Sequence, residues 1–469
     1  MVFTSHVFIF FFLPLFLLVY FSLPFKWRNF WITVASYAFY GWWNPWFVLL
    51  LVFVTVVNYL GGLLMTRDGA SERQRFWGVT LAVVLSLATL GFFKYFMFCQ
   101  ANLNHVLSWL GADGVHVLQI ALPTGISFYV FKALSYSFDV YRGPGPPARS
   151  WRDFAGYLAL FPQLEAGPIE RFRNVAGQLA HRLPPRFASG VALFVLGFAK
   201  KVLLANPVGE IATVAFSAQS LTTGDAWFGA LAYAFQIYFD FSGYSDMAVG
   251  LGRMIGLEFM KNFDSPYLAE SITEFWRRWH ISLSSWFRDY VFLPLELATR
   301  DHPHAGRRVS INLMLTMLLV GLWHGASWTF VAWGGYHGAL MVFERWWGKH
   351  SAYRRLPRRV RVAVTFVLVL ISWVLFRSDN FSGALDYLRA MVGAGATGEG
   401  AALLAAQLYI QGKLVLMALS ALLVLWPTQA HEWSAQITWP KALALVLAFG
   451  LALMGMFSQA FKPFLYFQF

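Results

Sequence analysis

Stretches of about twenty apolar residues recur from one end of this chain to the other, and a bilayer core needs about that length of helix. They run Val7–Phe25, Phe30–Trp43, Trp46–Met65, Phe76–Cys99, Gln119–Tyr136, Phe187–Leu204, Trp227–Gly250, Val309–Thr329, Val331–Trp346, Val362–Phe376, Ala405–Trp426 and Ala442–Phe457. That is about twelve expected spans. No Lys or Arg precedes the first stretch, and the first cations, Lys26 and Arg28, follow it. A cleavable signal peptide has the opposite order. The stretch therefore reads as a retained first helix with its N-terminus outside.

Composition closes off the other classes. Of 469 residues, 58% are hydrophobic and 13% are charged, which excludes a soluble globular domain and a disordered chain. Cys99 is the single cysteine, so a disulfide-stapled scaffold is excluded as well. The net charge of +13 has no nucleic-acid motif beside it. Its cations instead cluster in loops: Arg67/Arg73/Arg75, Arg142/Arg149/Arg152, Arg171/Arg173/Arg182/Arg186, Arg277 through Arg308, and Arg345 through Arg361. Alternating crossings from an outside N-terminus place every one of these loops on the cytoplasmic side, and the C-terminus outside. Two segments, Trp151–Pro185 and Leu251–Ser310, are too mixed for simple spans and read as re-entrant or interfacial helices. No internal repeat or linker divides the chain, so residues 1–469 are expected to form one all-α membrane domain.

Polar groups inside apolar runs carry the functional signal, because lipid makes each of them costly. In Tyr238 to Asp246, the carboxylates Asp240 and Asp246 are six positions apart. On a regular helix they differ by 6 × 100°, or about 240° in direction, and form no paired site; Gly243 between them is a point where the helix can bend. An inter-helix network with Ser242 and Tyr244 and a direct chemical role both fit the pattern. In Ser271 to His280, Ser271 and Glu274 form a capping box that starts a helix, and Glu274 and Arg278 can pair at i, i+4. With Trp276 and Trp279 beside them, Arg277 and Arg278 suit either an interfacial anchor or an anionic ligand such as a phosphate-bearing acyl donor. In Gly321 to Ala326, His324 reads as lying near the centre of a Leu, Met, Val and Trp span, with glycines on either side. A satisfied core histidine and a general base are both open readings. His337 reads as a structural or supporting group. HExxH, P-loop and GxSxG motifs are absent, and His302 and His304 lack partners at metal spacing, so no metal site is expected.

Together these blocks resemble the membrane-bound O-acyltransferase superfamily, nearest the bacterial branch that includes the alginate O-acetyltransferase membrane subunit. The matching residues are Leu122 to Tyr129, Ala166 to Ile169, Gln236 to Gly250, Ser271 to His280, Gly321 to Gly325 and the closing Phe464 to Phe469. The resemblance implies helices around a funnel that enters the membrane from both sides, with His324 catalytic and His280 the second family histidine near the tunnel. It implies a cytoplasmic thioester donor, acetyl-CoA being the natural one, held with help from Arg277, Arg278, Trp279 and Trp323, and no permanently bound cofactor. It further implies transfer across a bacterial inner membrane to a periplasmic or membrane-anchored acetyltransferase partner that works with an exopolysaccharide synthase and secretion complex. Two departures stand out: Glu165 where the branch has an uncharged residue, and Phe292 to Leu297 in place of a Gly-Gly-Asn-Arg loop. They bear on the partner and the polymer, so cellulose or another exopolysaccharide stands beside alginate. A lipid or polysaccharide flippase, or a synthase scaffold, is the competing function and needs no acyl chemistry.

Overall fold

The computed structural model describes residues 1–143, 145–348, 352–395 and 399–459. The terminal Phe464 to Phe469 run and Lys349 lie outside them. Among the described residues there is no strand, and the twelve apolar stretches are largely helical; the clearest departure is Gln119–Tyr136, whose first seven residues are non-helical chain leading into the helix Ile126–Arg142. Six helical segments are long and apolar enough to cross a membrane: Phe47–Thr66, Glu72–Trp109, Phe187–Phe216, Ala305–His324, Arg358–Arg377 and Trp439–Ser458. A seventh is the pair Gly400–Leu408 and Gln411–Leu425, bent by 61°. The other expected spans are short, as in Phe8–Ser22, or carry charges that the fold buries. The chain is an all-α, multi-pass membrane protein.

Two compact units interleave in sequence, Met1–Val191 with Ala248–Met260, and Ala192–Met247 with Lys261–Phe469. In the first, α1 (Phe47–Thr66), α2 (Glu72–Leu90) and α3 (Ile126–Arg142) pack together. A buried triad ties them: the Asn58 amide donates to Ser86 at 2.8 Å and accepts from the Ser137 hydroxyl at 2.7 Å. Lipid offers such groups no partner, so each helix must bring one. Lys132, in the almost fully buried α3, donates to the Tyr157 carbonyl at 2.7 Å. The segment expected to be re-entrant forms only short helices, Trp151–Leu158, Phe161–Gln163 and Phe172–Ala180. Every residue from 154 to 172 is buried, so this irregular backbone is packed inside protein. Gly125, at φ 72°, lies so close to it that a Cβ would stand 2.2 Å from the Leu164 carbonyl oxygen; no other residue fits there.

The second unit holds the three sequence blocks. It contains most of α4 (Phe187–Phe216) and of α5, which runs unbroken from Thr223 to Met254. Gly243 does not break α5. A Cβ there would come 2.7 Å from the Gly197 carbonyl oxygen, so the glycine serves close helix approach, the usual packing device in membranes. Next come α6 (Ile272–Arg278), α7 (Ile281–Phe287), α8 (Ala305–His324), α9 (Trp328–Trp347), α10 (Arg358–Arg377) and α11 (Gln411–Leu425). Helices α8 and α9 form a tight antiparallel hairpin, because Gly321 faces the Phe330 carbonyl and Gly334 faces the Met317 carbonyl with no room for a Cβ at either.

Candidate active site

His324 is the last residue of α8, not the middle of a span. The chain turns extended at Gly325, φ −165°, and α9 restarts after Ser327, whose hydroxyl accepts from Thr329 N–H. Gly325 is required because the Phe330 ring occupies the space of a Cβ. The glycines around His324 thus admit neighbouring protein groups, which hold the imidazole at the tip of the hairpin.

His280 stands between α6 and α7 at φ 44°, ψ 54°. A non-glycine residue in this left-handed region is strained by roughly 1–2 kcal/mol. Backbone bonds on both sides impose it: Asp264 N–H donates to the Arg278 carbonyl and Ile281 N–H to the Asn262 carbonyl, both at 3.0 Å. Asn262 adds its side chain, accepting from the Ser282 hydroxyl at 2.9 Å and donating to Ser245 of α5 at 3.1 Å. Ser271 caps α6 by accepting from Glu274 N–H. The Glu274 carboxylate reaches back to Glu270 N–H at 2.8 Å, one residue before the position a capping box uses.

The two turns converge. The His280 and His324 ring centroids are 6.4 Å apart, with 0% and 4% of each residue exposed. Phe241 of α5 packs edge-on against His280 at 4.6 Å, and Trp323 touches both histidines, at 5.8 and 5.0 Å. Trp333 and Phe376 close on His324 at 5.1 and 5.2 Å. His337, fully buried, continues the cluster against Trp333 at 5.0 Å and Trp276 at 5.3 Å. Imidazoles a few ångströms apart in apolar surroundings can pass a proton to and from one reacting group.

The expected donor-binding residues separate. Arg278 is bound to Glu274 at 2.7 Å and to the Asp264 carbonyl at 3.1 Å. Arg277 is exposed and has no ion pair among the described residues. Trp276 and Trp279 are buried, not interfacial; Trp279 stacks on Phe275 at 5.5 Å and meets Trp373 at 5.0 Å. The two carboxylates of α5 have cationic partners that the sequence reading overlooked. Asp240 pairs with Lys201, and Asp246 with Lys200 at 2.7 Å. Ser242 and Tyr244 are buried beside them, but Ser242 makes no side-chain hydrogen bond among the described residues. Two lysines near the end of an apolar stretch were the available signal. Glu344 of α9 was also missed. It accepts from Ile272 N–H at 2.6 Å, Thr273 N–H at 3.0 Å and the Thr273 hydroxyl at 2.7 Å, so it anchors the start of α6. In sequence it looks like one more solvated charge.

An all-helical, multi-pass membrane protein with a buried pair of histidines is the class so far. Residues 145–381 match the membrane-bound O-acyltransferase family (MBOAT). The chain is 42% identical to a probable alginate O-acetylase (AlgI) of Azotobacter vinelandii, across 100% of both chains. A second probable alginate O-acetylase, from Pseudomonas aeruginosa, is 45% identical over 83% of this chain and 75% of its own. A peptidoglycan O-acetyltransferase of Helicobacter pylori is 33% identical over 84% of this chain and 80% of its own. The chain belongs to the membrane-bound O-acyltransferase family, and it is an O-acyltransferase.

Proposed function

We propose that this protein acetylates an exopolysaccharide system from the membrane, taking acetyl groups from a cytoplasmic thioester, acetyl-CoA, and delivering them to the far side of a bacterial inner membrane. The observation that carries the reading is the buried His280–His324 pair, 6.4 Å between centroids, in a chain 42% identical along its whole length to a probable alginate O-acetylase. His324 is the general base. It takes the proton of an acceptor hydroxyl as that oxygen attacks the thioester carbonyl; the C–S bond breaks, and the imidazolium returns the proton to the leaving thiolate. His280 orients donor or acceptor beside it. Arg277 is the exposed cation of α6 that meets the donor's phosphates, and Trp323 lies against both imidazoles. Asp240 and Asp246 hold α5 in register with α4.

The acceptor is a periplasmic or membrane-anchored acetyltransferase partner within a polysaccharide synthesis and secretion complex, and the polymer is alginate or another exopolysaccharide such as cellulose. The N-terminus is periplasmic in this reading, which puts the basic loops at the cytoplasmic face. Sealed membrane vesicles of known orientation test the sidedness. Labelled acetyl-CoA is expected to be consumed only when it meets the cytoplasmic face, and consumption should fall at least tenfold with Arg277→Gln at low donor concentration. Equal consumption from both faces would contradict the arrangement.

A further inference from the structure

A cavity of about 500 Å³ lies in the second unit between α5, α10 and α11, within the usual size range of ligand sites. Its walls are apolar: Leu231 and Phe235 of α5, Val362 and Phe366 of α10, and Val424 of α11. Its one charged end is formed by Arg358 and Arg359, the first two residues of α10. No side chain caps this helix start, so its N-terminal N–H groups and dipole add to the positive field. Glu270 is the carboxylate paired there, with Arg358 at 2.9 Å and Arg361 at 2.7 Å. Arg359 has no ion pair among the described residues. Three arginines against one carboxylate leave a local charge of about +2 above an apolar groove.

From Arg358 to Phe366 the helix descends 8 × 1.5 Å, about 12 Å. The groove is therefore amphipathic along its length, cationic at one end and hydrocarbon-like below. The positive-inside rule assigns the basic end to the cytoplasmic headgroup level. A free anion would leave the apolar walls unfilled, and a neutral lipid would leave the arginines without a counter-charge. Basic pockets between membrane helices suit acidic headgroups, and guanidinium forks match phosphate oxygens. We propose that this groove is a binding site for one anionic phospholipid, its phosphodiester at Arg358 and Arg359 and one acyl chain along Val362 and Phe366. Neither histidine lines the groove, and the proposal does not depend on the acyl-transfer reading.

Native mass spectrometry of the full-length protein in mild detergent, with phosphatidylglycerol and phosphatidylcholine of equal chain length, tests it. The unaltered protein is expected to retain phosphatidylglycerol in preference. The pair Arg358→Gln with Arg359→Gln should cut that preference roughly tenfold or more, at the usual worth of about 1 kcal/mol per basic residue. Arg354→Gln with Arg355→Gln removes the same charge from the same basic loop outside the groove and should leave the preference in place. Ala421→Trp, filling the α11 wall, should reduce retention of both lipids. Equal retention of the two lipids by the unaltered protein, or equal losses from the two arginine pairs, would overturn the proposal. Size-exclusion profiles identify any variant that has lost its fold, and the arginine pairs then decide alone.

Discussion

At residue scale, His280 does two jobs that substitution can separate. Its imidazole faces His324, and its backbone holds the left-handed turn that joins α6 to α7. Asparagine adopts that conformation with little penalty, whereas a β-branched residue does not. His280→Asn is expected to accumulate in membranes near the normal level with acyl transfer lowered at least tenfold; His280→Val should accumulate poorly. Similar accumulation of the two would show that the turn does not constrain the position. Glu165, the charged departure from the family pattern, makes a second prediction. It is buried in an irregular segment outside the spanning helices, 3.8 Å from the Met1 amine. Burial raises its carboxyl from an ordinary 4.5 to about 7, against the opposing pull of that amine. The folded state therefore holds a proton that the unfolded chain releases. Stability is full below pH 4.5 and falls as pH rises toward 7, by up to roughly 1.4 kcal/mol per pH unit. Thermal midpoints of the purified protein should decline across that window, and Glu165→Gln should flatten the decline. An unchanged pH slope in the variant would refute this.

At the scale of helices, α5 is held to α4 by two ion pairs of unequal depth and by close glycine contacts, Gly243 against Gly197 and Gly190 against Gly250 among them. Asp240–Lys201 is almost fully buried, and Asp246–Lys200 is about a fifth exposed. Removing one partner of a buried pair strands the other charge, at a cost of about 3–5 kcal/mol. Asp240→Asn should therefore lower the thermal midpoint well beyond Asp246→Asn, and Gly243→Ala should lower it by intruding on the Gly197 backbone. Equal effects from the two aspartates would contradict this ranking. Much of this level could be read in advance. The capping serine at Ser271 marked the start of α6, and the six-residue offset of the carboxylates ruled out a shared site. Hydropathy did not reveal the turn at Gly325 to Ser327, because three small residues barely interrupt an apolar run. Gly325 followed by a capping serine was the local sign of a helix end and a new start. His324 accordingly sits at a helix end, just before the turn, and not in mid-helix.

For the whole chain, apolar patterning located every helix that follows a long hydrophobic run, because lipid leaves the backbone few alternatives. Six of the helical segments, or seven with the bent pair, are long and apolar enough to cross unaided. Stretches such as α3 and α5 are apolar in sequence yet hold Lys132, Asp240 and Asp246 against partners supplied from distant positions. Such pairings cannot be read from one segment alone. The histidine pair has the same origin: His280 and His324 are forty-four positions apart (324 − 280), and the turns at His280 and Gly325 bring them together. The most direct test compares O-acetyl content of the secreted polysaccharide in cells with the unaltered protein, with a deletion, and with His324→Ala at matched membrane levels. Polymer made in normal amount but lacking acetyl groups in both mutants is the predicted result. Ordinary acetylation in His324→Ala, or loss of the polymer itself on deletion, would contradict the account.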